Sequence, residues 1–228
     1  MEQQLLSARK QKGWSQKQAA FKLKVSQPYL SLLERGTRRL TEKFAHRAQE
    51  VYGSSAVALP VKSVPSEVRA ISETNFANAL ASFGYPGFSY LKASRQKNAA
   101  EVLVSALKKD NLDSRLTEAL PWLVLKVQKD DWDWLVKSAK VNDLQNKLGF
   151  LVSLARKLAE KRGEKESALL LAQKEKLLEN SRLAREDTLC QKSLTEAEKN
   201  WLRENRPKEA KKWGLLTDLS LEHLSYAQ

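Results

Sequence analysis

Hydrophobic positions recur three and four residues apart in one short stretch after another, which is the spacing of helical faces. Residues 2–12 carry Leu5, Leu6 and Ala8, and Gly13 should end that helix as a residue that enters the left-handed region cheaply. Ser15 to Gln18 has the S-x-x-Q form of a capping box, and Ala19, Ala20 and Leu23 follow on one face. After a turn at Lys24 and Val25, Ser26 reads as the next N-cap, with Pro28 in the first turn, where its missing N–H does least harm. Leu30 and Leu33 face inward and Arg35-Gly36 closes the helix. Thr41 then caps a helix with Phe44, Ala45, Ala48 and Val51 inward, stopped by Gly53.

Residues 54–65 carry two prolines and several small side chains, the composition of a linker. Helical spacing resumes at Ser66 and breaks at Gly84-Tyr85-Pro86-Gly87. Helices are expected near 98–109 and 113–127. A long amphipathic one, capped by Asp130 or Asp131, should run to Gly163, and another should cover about 165–186. Thr195 to Glu198 is a second capping box, opening a helical stretch broken at Pro207. This predicts an all-α protein in four parts: 1–53, a linker at 54–65, a larger helical domain at 66–190 and an extension at 191–228.

Composition agrees. Only 8 glycines and 6 prolines occur in 228 residues, too few for a turn-rich sheet protein. One cysteine excludes an internal disulfide and two histidines exclude most zinc sites. The longest apolar run, Ala119 to Leu125, is too short to span a bilayer, and MEQQLLSARKQ has no apolar signal region, so a cytoplasmic protein is expected.

The net charge of +13 changes the picture only once it is divided. Residues 1–53 hold 11 Lys/Arg against 4 Asp/Glu, whereas residues 54–228 hold 29 against 23. The long part is an ordinary mixed-sign helical surface. The short part is a strongly basic unit, suited to a polyanion as well as to simple solubility.

Ser15 to Gly36 reads as two short helices joined by a tight turn, the second starting in small polar residues, which is helix-turn-helix geometry. The stretch SQKQAAFKLKVSQPYLSLLERGTRRLT resembles the Cro/C1-type (XRE) helix-turn-helix family through Ser15, Gln16, Ala20, Val25, Ser26, Leu30, Ser31, Glu34 and Gly36. The resemblance covers residues 2–53 and implies a lambda-repressor-like head. Two positions depart from the pattern: Lys24 stands where a turn glycine is usual, and Ala19 where leucine is.

The resemblance implies that the second helix lies in the major groove of double-stranded DNA. Ser26, Gln27, Pro28, Ser31 and Leu32 would then face bases, and Gln16, Tyr29, Arg35, Arg38 and Arg39 would hold phosphates. Gln27 has the amide geometry to pair with adenine. Such heads read two-fold operators as dimers, so a homodimeric repressor is expected. An antitoxin, whose residues 66–228 bind a toxin, is the alternative.

Other candidate chemistry is sparse. Asp130, Asp131 and Asp133 could hold Mg²⁺ in a nuclease, or simply place negative charge at a helix start. Cys190 has no His or Asn partner nearby in sequence, and His46 lies among charged residues. Trp132 and Trp134 are two apart and cannot share one helix face, so one could reach a second surface. The segment GYPGFSY reads as a packed aromatic loop or a binding lip. No phosphate loop, H-E-x-x-H or G-x-S-x-G occurs. No catalytic residue, metal or cofactor is therefore expected, and the chain is not expected to be an enzyme.

Overall fold

A computed structural model describes residues 2–38, 40–53, 71–91, 98–224 and 226. The described residues fall into two compact units. One holds the residues up to Gly53 together with Gln128–Asp131, and the other holds the remainder from Ile71. Among the described residues the protein is all-α apart from one minimal strand pair and an isolated bridge between Asn111 and Gln191.

The first unit is built from α1 (Glu2–Gln11), α2 (Gln16–Lys22), α3 (Gln27–Glu34) and α4 (Glu42–Tyr52). Its starts are where the polar residues placed them. Ser15 closes a complete capping box with Gln18, Ser26 accepts the Tyr29 N–H, and Thr41 accepts the Phe44 N–H. Leu5, Ala8, Ala19, Ala20, Leu23, Leu30, Leu33, Phe44, Ala48 and Tyr52 form its core.

In the second unit, α5 (Glu73–Ser82) is capped by Ser72 and is followed by a 3₁₀ turn at Pro86–Phe88. The expected linker 54–65 and the expected start at Ser66 lie outside the described residues. Next come α6 (Ala99–Leu107), α7 (Ser114–Glu118) and α8 (Leu120–Val124). The single helix expected over 113–127 is thus two short ones. Pro121 sits in the first turn of α8, where it donates no N–H to continue the preceding helix.

The long helix expected up to Gly163 is also divided, into α9 (Trp132–Val141) and α10 (Gln145–Lys161). Asp143 takes φ +57 between them, and the Leu144 N–H reaches back to Ala139 O at 2.8 Å. The apolar spacing jumps by five from Ala139 to Leu144 and turns the face well round the helix, so the expectation of one continuous helix passed over a phase change present in the sequence. Helix α11 (Lys165–Glu179) stops short of the expected residue 186, and Asn180 is its C-cap.

The chain continues through β1 (Asp187–Thr188), α12 (Glu196–Asn205), α13 (Lys208–Lys212) and β2 (Leu215–Leu216). The two strands pair in parallel, Asp187 with Leu215 and Thr188 with Leu216. Thr195 forms the expected capping box with Glu198, and Pro207 caps α13.

Helix α10 is the centre of this unit, buried along most of its length. Gly149 lets the Trp213 indole lie against the α10 backbone, where an added Cβ would collide with the ring. The indole N–H donates to Ser153 Oγ at 2.8 Å. Ser153 Oγ in turn donates to Glu175 Oε1 at 2.8 Å, and Arg156 holds Glu175 Oε2 at 2.8 Å. Burial would raise the Glu175 pKa, but these bonds to Arg156, Ser153 and Lys212 leave it below the usual carboxylate value.

The GYPGFSY segment is a packed loop. Tyr85 and Phe88 are buried, and Tyr85 meets Trp122 and Tyr226 edge-on at 5.3 and 5.5 Å. Trp132 is fully buried, and Trp134 packs half-buried against the same core. The openly exposed tryptophan is Trp201. No helix among the described residues is long and apolar enough to cross a membrane.

Candidate nucleic-acid interface

Helix α3 has a sharp division of faces. Leu30, Leu33 and Glu34 are buried, whereas Gln27 and Pro28 are exposed, as is the C-cap Arg35. Ser31 and Leu32 are half-exposed between them. Gln27, Ser31 and Arg35 are spaced by four, and Pro28 and Leu32 form the neighbouring row. One stripe of the helix therefore carries these five residues. Ser26, exposed before the first turn, spends a hydroxyl lone pair on the Tyr29 N–H at 3.3 Å. Its own O–H remains able to donate.

The buried Glu34 carboxylate organises this face from behind. Glu34 is 6% exposed, and Arg9 grips it with two bonds, Nε to Oε1 at 2.6 Å and Nη2 to Oε2 at 3.0 Å. The Arg9 Nη1 also caps the Trp14 carbonyl at 3.0 Å. Its bond to Glu34 raises the Arg9 pKa further, so the guanidinium stays charged. From Glu34 the chain of bonds runs outward. Gln16 Nε2 donates to Glu34 Oε2 at 2.8 Å, and Gln27 Nε2 donates to Gln16 Oε1 at 3.3 Å. The two glutamines named from sequence are thus brought together, one on each motif helix.

The sequence reading missed Arg9 and gave Glu34 no role. The signal was present. A carboxylate on the same inward face as Leu30 and Leu33 needs a buried cationic partner.

Tyr29 is half-buried, edge-on to Phe44 at 6.1 Å, with the Arg38 guanidinium over its ring at 4.8 Å. Burial raises the Tyr29 pKa, so its hydroxyl stays a neutral donor. Arg38 also pairs with Asp130 at 2.8 Å within the first unit. Arg35 is exposed and its Nε donates to Ser31 O at 3.3 Å. Arg39 lies outside the described residues.

The turn between α2 and α3 is closed by Lys24, which takes φ +52, so a side chain occupies the left-handed position where glycine is usual. The Val25 N–H reaches back to Ala20 O at 3.0 Å, which the small Ala20 permits. The buried Ala19 fills the position of the usual leucine.

A family model described as helix-turn-helix matches residues 5–59. The head is a Cro/C1-type helix-turn-helix domain. That family is one of DNA-binding transcription regulators, so the protein carries a regulator's DNA-binding domain. No curated protein and no solved structure matches the chain.

The remaining candidates lie elsewhere. Asp130 and Asp131 belong to a 3₁₀ turn at Lys129–Asp131, and Asp133 sits in the first turn of α9, 3.4 Å from Lys174. No group of three or more potential metal ligands is assembled among the described residues. Cys190 is fully buried, and burial pushes its thiol up to about 11, the reverse of an activated nucleophile. His46 is exposed on α4.

Proposed function

We propose that this protein is a sequence-specific double-stranded DNA-binding repressor that acts as a homodimer on a palindromic operator. In this reading Ser26, Gln27, Pro28, Ser31 and Leu32 meet base edges, and Gln16, Tyr29, Arg35, Arg38 and Arg39 hold phosphates. The observation that carries it is the Arg9–Glu34–Gln16–Gln27 relay. It presents a bidentate amide from the start of α3 at low entropic cost, as base recognition needs. Residues 66–190 would supply dimerisation, and the protein would act without catalysis or cofactor in the cytoplasm.

Selection from random duplexes should enrich one two-fold symmetric site. Gln27→Ala should lose about 1–3 kcal/mol of discrimination at one base pair while keeping non-specific affinity. Uniform binding to all duplexes would overturn the reading.

A second reading, an antitoxin whose helical region neutralises a toxin, draws support from large apolar side chains left exposed in that region: Val141, Leu169, Leu177 and Trp201. Such side chains suit a protein partner. Co-purification from the native operon tests it. Full repression by this chain alone, with no partner recovered, would count against it.

A further inference from the structure

Between the end of α6, the turn joining α9 to α10 and the strand β1 lies a cavity of about 370 Å³. That is a ligand-sized volume, at the small end of the range. Leu107 and Leu144 are the apolar parts of a wall that is otherwise polar and charged.

The acidic side of this wall is already engaged. Asp110 pairs with Lys192 at 2.5 Å and Asp143 with Arg185 at 3.5 Å. Asp187 faces Lys147 at 3.5 Å and also accepts the Thr188 N–H at 2.8 Å. Glu186 is held by Arg203 and Arg206 at 2.8 and 3.1 Å. A cationic ligand would have to displace one of these partners.

The lining cations are one in excess, because Lys147, Arg185 and Lys192 match Asp187, Asp143 and Asp110 while Glu186 is neutralised from outside by Arg203 and Arg206. Lys108 has no ion-pair partner among the described residues, while Lys147 and Arg185 stand beyond the 2.7–2.9 Å of a charge-assisted hydrogen bond. Lys147 is the decisive group. It is only 4% exposed, and one carboxylate at 3.5 Å leaves a three-donor ammonium under-coordinated. It also lies in the first turn of the 17-residue α10, which opens behind Leu144 without a side-chain cap. Leu144 and Lys147 line the cavity, so the positive end of the α10 dipole stands beside the buried ammonium.

We propose that this cavity binds a small phosphate-bearing metabolite, or free phosphate. Lys147 and Lys108 take the phosphate oxygens beside the positive end of α10, and Arg185 closes the rim. A tetrahedral multivalent anion matches several convergent donors better than a single carboxylate does. The cavity belongs wholly to the second unit, so the inference does not depend on how the helix-turn-helix domain reads DNA.

Isothermal titration calorimetry on the full chain without DNA tests it. The probes are inorganic phosphate and glycerol phosphate in chloride buffer of matched ionic strength, with citrate for comparison. One saturable site per chain is expected. Lys108 and Arg185 are exposed on the rim, so K108Q/R185Q should fold normally and bind roughly tenfold or more weakly. K10Q/K43Q, in the basic head, should bind as the parent does. Tighter binding of the ester supports a metabolite, and equal binding supports free phosphate. Absence of a saturable site, affinity unchanged in K108Q/R185Q, or citrate bound as tightly as the phosphate probes would overturn the proposal.

Discussion

Lys24 shows how a single departure from a motif can be tested. Its backbone is left-handed at φ +52, a conformation that costs an L-residue about 1 kcal/mol or more. Lys24→Gly should therefore stabilise the turn by about 1 kcal/mol, read as slower amide hydrogen exchange in α2 and α3. Unchanged or faster exchange would mean that this lysine is not strained. Glu34 works at the same scale in the opposite sense. It is a buried charge that stabilises only because Arg9 and Gln16 meet it, and through Gln16 it positions Gln27.

Among elements, α10 depends on one missing side chain. Gly149 admits the Trp213 ring, which then donates to Ser153 and closes the Ser153–Glu175–Arg156 network. Gly149→Ala should destabilise the second unit by about 1–3 kcal/mol through overpacking, measured by thermal unfolding. Adding Trp213→Leu to it should recover part of that loss, because the smaller side chain can yield. If the double variant is as unstable as the sum of the single ones, the contact is not the cause. The helix starts at Ser15, Ser26, Thr41 and Thr195 were legible in the sequence because a cap acts within three residues. The break at Asp143 left a weaker mark, a five-residue step from Ala139 to Leu144, and no proline or glycine stands there to announce it.

At the scale of the whole molecule, charge and titration give two predictions. DNA affinity should fall linearly with the logarithm of salt concentration, by a slope of roughly 0.9 per phosphate neutralised, and Arg35→Gln should reduce that slope by about one. An unchanged slope would remove Arg35 from the phosphate contacts. Alkali should act on both units. Burial raises Tyr52 in the first unit to about 12 and Cys190 in the second to about 11. Both folded pKa values lie above the unfolded ones, so the unfolded chain loses protons first as pH rises. Stability is full below about pH 9 and should decline from there through pH 12. Cys190→Ala should flatten the early part of that decline in the second unit, measured by denaturant unfolding at pH 8 and pH 10.5.

Local chemistry was enough to write the helix-turn-helix head in linear form. Its caps, its turn, its apolar stripe and its cluster of basic residues all act between near neighbours in the chain. Other features require residues far apart in sequence to meet. They include the Arg9–Glu34 pair, the Trp213 seat on Gly149, the parallel pairing of β1 with β2, and the cavity around Lys147. Each is a buried polar or packing requirement with many possible partners in a linear sequence. The packed fold selects one by holding these residues within contact of each other, which lowers the cost of burying their charges and polar groups.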